Sequence, residues 1–99
     1  MDKETHPLTD LTAFQRDLLV VIGYEGPATG SHIGNAMAEV WGEESINPGR
    51  LYPNLATLEE EGLISKEKPN DRAHLNEITV EGREALYGYT KWASGHTPD

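Results

Sequence analysis

Apolar residues recur at three- and four-residue spacing in four stretches of this chain. Phe14, Leu18, Val21 and Ile22 make the first stripe and predict a helix from about Thr12 to Gly23. Thr12 followed by Gln15 is a capping-box pattern, and Gly23 with Gly26–Pro27 supplies the stop. A second helix starts near Thr29 or Ser31, with Ile33, Met37, Val40 and Trp41 on one face. Its small residues Gly34 and Ala36 permit a close helix crossing, and Gly42 ends it. The third helix has Asn47 as N-cap and Pro48 at the first helical position, where a missing N–H costs nothing. Leu51, Leu55 and Leu58 form its buried stripe and Gly62 closes it. Pro53 lies about two turns in, which predicts a bend or regular geometry only beyond it.

The pattern then changes. Leu63–Lys68 and His74–Thr79 read as two short strands, with turn chemistry at Pro69, Asn70 and Asp71 and an exposed tip carrying Arg72. A last helix runs from about Val80 to Ala93 behind the cap Thr79. Three helices, a hairpin and a helix predict an α+β fold of the winged helix-turn-helix type: three helices, a two-stranded wing and a C-terminal dimerisation helix. In that arrangement the third helix enters the major groove of DNA and the wing lies along the backbone or minor groove. The chain divides into a flexible tail at residues 1–10, a DNA-binding domain at 11–79, and the dimerisation helix and tail at 80–99. The extremes, 1–7 and 94–99, read as frayed.

Dimerisation follows from the supply of apolar residues. A chain of 99 residues buries a modest fraction of its surface. Leu18, Ile22, Met37, Leu51, Leu55 and Leu58 already furnish a three-helix core. Ala85, Leu86, Tyr89, Trp92 and Ala93 make a further stripe on the last helix, which we assign to the contact with a second copy, joined by Phe14. Gly88 costs that helix about 1 kcal/mol relative to Ala, and close approach of a partner accounts for it.

Charge complicates the DNA reading. Asp and Glu number 17 against 8 Lys and Arg, a formal net charge of −9, whereas a nucleic-acid binder is usually basic. The acidity is distributed unevenly. Between Asn47 and Asn76, the part assigned to DNA, Arg50, Lys66, Lys68 and Arg72 almost balance five acidic residues. Many carboxylates with few lysines fit a protein adapted to a salt-rich cytoplasm, where at about 1 M salt the Debye length is about 3 Å. The expected partners are therefore double-stranded DNA, a second copy of the chain and salt ions at the DNA interface, with no membrane. An acidic winged-helix interaction module or DNA mimic is the alternative. The absence of cysteine excludes disulfides, cysteine-based zinc sites and cysteine catalysis.

The stretch Gly49–Arg50–Leu51–Tyr52–Pro53–Asn54–Leu55, continuing through Leu58 and the acidic residues to Gly62–Leu63, closely resembles the PadR family of transcriptional regulators. Ile78–Thr79–Val80–Glu81–Gly82–Arg83 resembles the family's Leu-Thr-x-x-Gly-Arg after the wing, a signature shared with MarR-type proteins. The opening Leu11–Leu19 is similar to haloarchaeal members. The resemblance covers residues 11–93 and implies a DNA-binding regulator, read here as a repressor on a pseudo-palindromic operator. Two departures stand out. One helix follows the wing where many members carry a separate domain, and Asn76 stands where an aromatic is common beneath the wing.

Arg50 lies on the helix face away from Leu51, Leu55 and Leu58, suited to a guanine edge or a phosphate. Asn54 and Thr57 share that face, and Asn suits adenine; exposed polar residues on a helix are otherwise merely solvated. Tyr52 is either half-buried packing or, as the resemblance implies, a phosphate ligand. Pro48 and Gly49 let the helix start approach a phosphate or simply cap it. Arg72 is the wing's phosphate contact, while Lys66 and Lys68 either join it or guard an edge strand. The histidines at 6, 32, 74 and 96 have no zinc-ligand spacing, so no metal is assigned. Ser31–His32 lacks the setting of a nucleophile, and Gly26–Gly30 lacks the Lys-Ser/Thr of a phosphate loop. The sequence thus predicts no enzyme activity and no cofactor.

Overall fold

Thr12 opens the first helix as its sequence predicts. In the computed structural model, which describes residues 7–95, its side chain accepts the N–H of Gln15 at 3.1 Å. The Gln15 side chain accepts the N–H of Thr12 at 3.0 Å. Helix α1 (Ala13–Glu25) buries Phe14, Leu18, Leu19, Val21 and Ile22. Strand β1 (Ala28–Thr29) follows, and Thr29 then caps α2 (Gly30–Trp41) through the N–H of His32. Gly42, at φ +66, ends α2 in the left-handed conformation that glycine adopts without steric cost.

Helix α3 (Pro48–Glu60) begins where Asn47 Oδ1 accepts the N–H of Gly49 at 2.7 Å. It runs unbroken through Pro53, so regular geometry is not confined to the part beyond it. The N–H that Pro53 lacks would have bonded the Gly49 carbonyl, which lies in the exposed first turn within reach of water. The remaining elements are β2 (Ile64–Asn70), β3 (Ala73–Ile78) and α4 (Val80–Gly95).

The sheet is antiparallel in the order β1-β3-β2. The predicted two-stranded wing is thus joined by a third strand, too short at two residues to leave a periodic signal. Ile64 pairs with Ile78 at the core end and Lys66 with Asn76 farther out. The register shifts between Glu67 and Asn70, the stretch holding Pro69, which cannot donate to the ladder. Asn70 Oδ1 accepts the N–H groups of Arg72 and Ala73, so the turn sits at Asp71–Arg72 and β2 runs two residues beyond its expected end.

The base of the wing is locked at one junction. Gly62, at φ +78, lets the N–H of Leu63 reach the Leu58 carbonyl at 3.0 Å. Thr79 Oγ1 donates to the Gly62 carbonyl at 2.7 Å and accepts the N–H of Gly82 at 2.9 Å. A Cβ at Gly82 would overlap the Leu63 carbonyl. The Gly-Leu and Thr-x-x-Gly signatures are therefore two halves of one contact that carries the chain from α3 through the wing into α4.

The core gathers apolar side chains from all four helices and the sheet. It also takes Leu8, which is fully buried in a 3-10 turn, Pro7–Asp10. The flexible tail expected through residue 10 is corrected accordingly. Arg16 Nη1 donates to the Leu11 carbonyl at 2.9 Å, helping to hold this segment against α1. Of the ends expected to fray, 1–7 and 94–99, Pro7 belongs to the 3-10 turn and Ser94–Gly95 to α4, while 1–6 and 96–99, with His6 and His96, lie outside the described residues.

Candidate nucleic-acid interface

Helical geometry divides the surface of α3 into an outer face and two flanks. With Leu51, Leu55 and Leu58 inward, 100° per residue puts Gly49, Pro53, Ala56 and Glu60 outermost. All four are exposed. Arg50, Asn54 and Thr57 fall on the flank beside α1, and Tyr52 and Glu59 on the flank beside the wing.

The α1 flank is tied into the protein. The Arg50 guanidinium lies 4.1 Å from the Phe14 ring centroid and 5.0 Å from that of Trp41. Phe14 and Trp41 meet edge to face at 5.3 Å, and Trp41 Nε1 donates to Asp17 Oδ2 at 2.8 Å. Asn54 is committed at both ends of its amide. Its Oδ1 accepts from Gln15 Nε2 at 2.8 Å and its Nδ2 donates to the Arg50 carbonyl at 2.7 Å. Thr57 Oγ1 donates to the Pro53 carbonyl at 3.1 Å. Of the face that the sequence assigned to base reading, Asn54 is held in the seam with α1 and Thr57 is turned back on its own helix, both half-buried. Arg50 remains exposed, its flat face stacked and its N–H edges unpaired with any carboxylate among the described residues.

The wing flank is open. Tyr52 is 49% exposed and packs over the start of α2, where a Cβ at Gly30 would stand 2.6 Å from its ring. Tyr52, Lys66 and Arg72 come from α3, β2 and the wing turn, yet they line one concave surface. Lys66 Nζ lies 3.7 Å from Glu59 Oε1. Lys68 is exposed in the irregular part of β2, and Pro48 and Gly49 are exposed at the start of α3.

The residues assigned to dimerisation separate likewise. Phe14 and Ala85 are buried in the chain's own core, which removes them from any contact surface. Phe14 is consumed by the Trp41 and Arg50 contacts above. Leu86 and Tyr89 are half-buried against that core. Trp92 is 44% exposed, 5.8 Å from the Tyr89 ring, and Ala93 is exposed. Sequence reasoning missed a neighbouring apolar surface. Val20, Tyr24 and Leu86 line a groove between α1 and α4, and Tyr87 is exposed beside it. Val20 falls outside the core stripe and Tyr24 beyond the expected helix end, so periodicity did not single them out.

Among the described residues no group of three His, Cys, Asp or Glu is placed to hold a metal ion. No described helix is long and apolar enough to cross a membrane.

The model of the transcriptional regulator PadR-like family matches residues 18–88. No curated protein matches the chain. Among solved structures it is similar to RosR of H. salinarum grown from NaBr. That match has 39% identity and a TM-score of 0.83, covering 93% of this chain and 83% of the other. The hsRosR-S1 complex matches at 38% identity with TM-score 0.83, covering 92% and 80%. MarR matches at 26% identity with TM-score 0.66, covering 86% of this chain and 58% of that one. A winged-helix frame, an outward third helix and a wing bearing Lys66, Lys68 and Arg72 thus coincide with a family match over most of the chain: it is a DNA-binding transcriptional regulator of the PadR-like family rather than an enzyme.

Proposed function

We propose that this regulator represses transcription by binding a pseudo-palindromic operator as a homodimer. Each α3 enters a major groove, and the two grooves lie about 34–36 Å apart on one side of the duplex. The observation that carries this reading is the convergence of Tyr52, Lys66 and Arg72 on one concave surface beside α3. Phosphate contacts come from these residues, from Lys68 and from the exposed start of α3 at Pro48–Gly49. Arg50 is the base or phosphate contact of the other flank, since stacking on Phe14 orients a guanidinium without using its donors. Asn54 and Thr57 serve as positioning residues. The second copy docks on the exposed end of α4 around Trp92 and Ala93.

The acidic residues at the C-terminal end of α3 bear on salt. Glu59, Glu60 and Glu61 are exposed, and Glu60 lies on the outer face that meets DNA. Their repulsion from phosphate is relieved by cations taken up at the interface, which opposes the counterion release of ordinary DNA binding. The halophilic reading of the sequence belongs to this proposal.

A titration of labelled upstream DNA at several salt concentrations tests the function. Specific binding with a shallow or rising dependence on salt is expected. Absence of specific binding at any salt would sink the regulator reading, and a steep slope near −0.9 per phosphate neutralised would sink the cation uptake. For the dimer, Trp92→Ala should move sedimentation toward the monomer, and an unchanged dimer would place the interface elsewhere.

A further inference from the structure

Arg50 stands in a corner built by two other helices. Its guanidinium carbon lies 4.1 Å from the ring centroid of Phe14 on α1 and 5.0 Å from that of Trp41 on α2. Both are within the roughly 6 Å reach of a cation–π contact. The two rings stand at 84° to each other, so they wall the guanidinium on two sides. Trp41 is half-buried as the last residue of α2, and its indole is itself pinned, because Nε1 donates to Asp17 Oδ2 at 2.8 Å. Asp17 thus gives this bond to the indole, and no described carboxylate pairs with Arg50. A long, exposed cation is held in place without spending its donors.

The neighbouring helix surface narrows what those donors serve. Of the outermost positions of α3, Gly49, Pro53 and Ala56 carry no hydrogen-bonding group on their side chains, and Glu60 is at the far end. On the α1 flank, Asn54 has both ends of its amide engaged and Thr57 has given its hydroxyl proton to the Pro53 carbonyl. Arg50 is the residue there whose side-chain donors are free, and it lies in the first turn, at the end of a recognition helix that meets base edges. A phosphate takes donors from many directions, so a rigid corner gains little for it. The guanine edge presents O6 and N7 in one plane and rewards a fixed fork.

We propose that Trp41, pinned by Asp17, is a positioning residue that with Phe14 holds Arg50 for bidentate reading of one guanine in each operator half-site. The proposal rests on the DNA-binding reading and names the base that Arg50 reads. Ordering a free, rotamer-rich side chain on binding weakens affinity by about twofold to tenfold. The corner removes that cost before DNA arrives. Trp41 touches no base itself and acts through Arg50 alone.

In the test, the full chain selects a site from duplexes with a randomised core, and that site is remade with 7-deazaguanine at each guanine in turn. The exchange removes the N7 acceptor and leaves every phosphate in place. At one position per half-site the wild type should lose about fivefold or more in affinity, and Arg50→Ala should be insensitive to the exchange. Trp41→Leu should weaken binding to the natural site about threefold to tenfold and to the exchanged site by about twofold at most. Trp41→Phe, which restores a ring, should bind the natural site within about twofold of wild type. Equal weakening on both sites by Trp41→Leu would make Trp41 merely structural and overturn the proposal. So would a site at which no guanine exchange matters, which would assign Arg50 to phosphate. A second arm needs no DNA: nitrogen-15 relaxation of Arg50 Nε should show a rigid group in the free wild type and a mobile one in Trp41→Leu. A mobile Nε in a wild type that still reads guanine overturns the corner and leaves the DNA reading standing. A rigid Nε in a protein that selects no site overturns the guanine assignment together with the regulator reading.

Discussion

The two flanks of α3 are each bordered by an arginine and other polar side chains, put to different use. On the α1 side, Arg50 stacks on Phe14 and Trp41, and Asn54 spends both ends of its amide on Gln15 and the Arg50 carbonyl. On the wing side, Tyr52, Lys66 and Arg72 border an open concave surface. Polar groups satisfied within a protein hold its elements in register, whereas groups left unmet at a concave surface are available to a ligand. The difference teaches that residue type on an exposed helix does not reveal function until its partners are known.

The widest test of this contrast is Phe14→Ala. Phe14 is buried at the centre of the α1 flank, and its truncation should cost about 3–5 kcal/mol of stability, read from the urea midpoint. A loss below about 1 kcal/mol would mean that the flank is not structural. Next, Arg72→Ala should weaken operator binding by about 1.5–3 kcal/mol, the range of a charged hydrogen bond. Its unfolding free energy should stay within about 0.5 kcal/mol of wild type. A destabilised but fully binding variant would reverse the assignment of that flank. The smallest effect is expected at Asn54→Ala, about 1 kcal/mol of stability. Combined with Gln15→Ala it should be non-additive, because the two share a hydrogen bond. Additivity, with a change of base preference at one operator position, would return Asn54 to base reading.

Much of the fold was legible because its signals are local. The Thr12–Gln15 capping box, the Asn47–Pro48 start, the Gly42 and Gly62 stops and the Leu51, Leu55, Leu58 stripe all act within a few residues. What escaped depends on distant chain. Leu8 is buried although it lies in a polar stretch, because its contacts are to segments folded later in the chain. Strand β1 exists only because β3 is beside it. The site was legible by residue type and less so by partner. Arg50, Tyr52, Lys66 and Arg72 are on the surface as expected, while Asn54, Thr57, Phe14 and Ala85 are drawn inward.

Asn76 marks the boundary. The sequence by itself determined that an amide stands where the resemblance leads one to expect an aromatic, along with the order of elements, their caps and the family. Tertiary structure alone decided that this amide is buried, that one end is satisfied by the Ala28 carbonyl and that the other is left without a partner. The physical reason is range. Caps, turns and periodicity are settled by neighbours in sequence, but whether a polar atom is met or left wanting depends on groups 48 residues away, brought together only when the core closes.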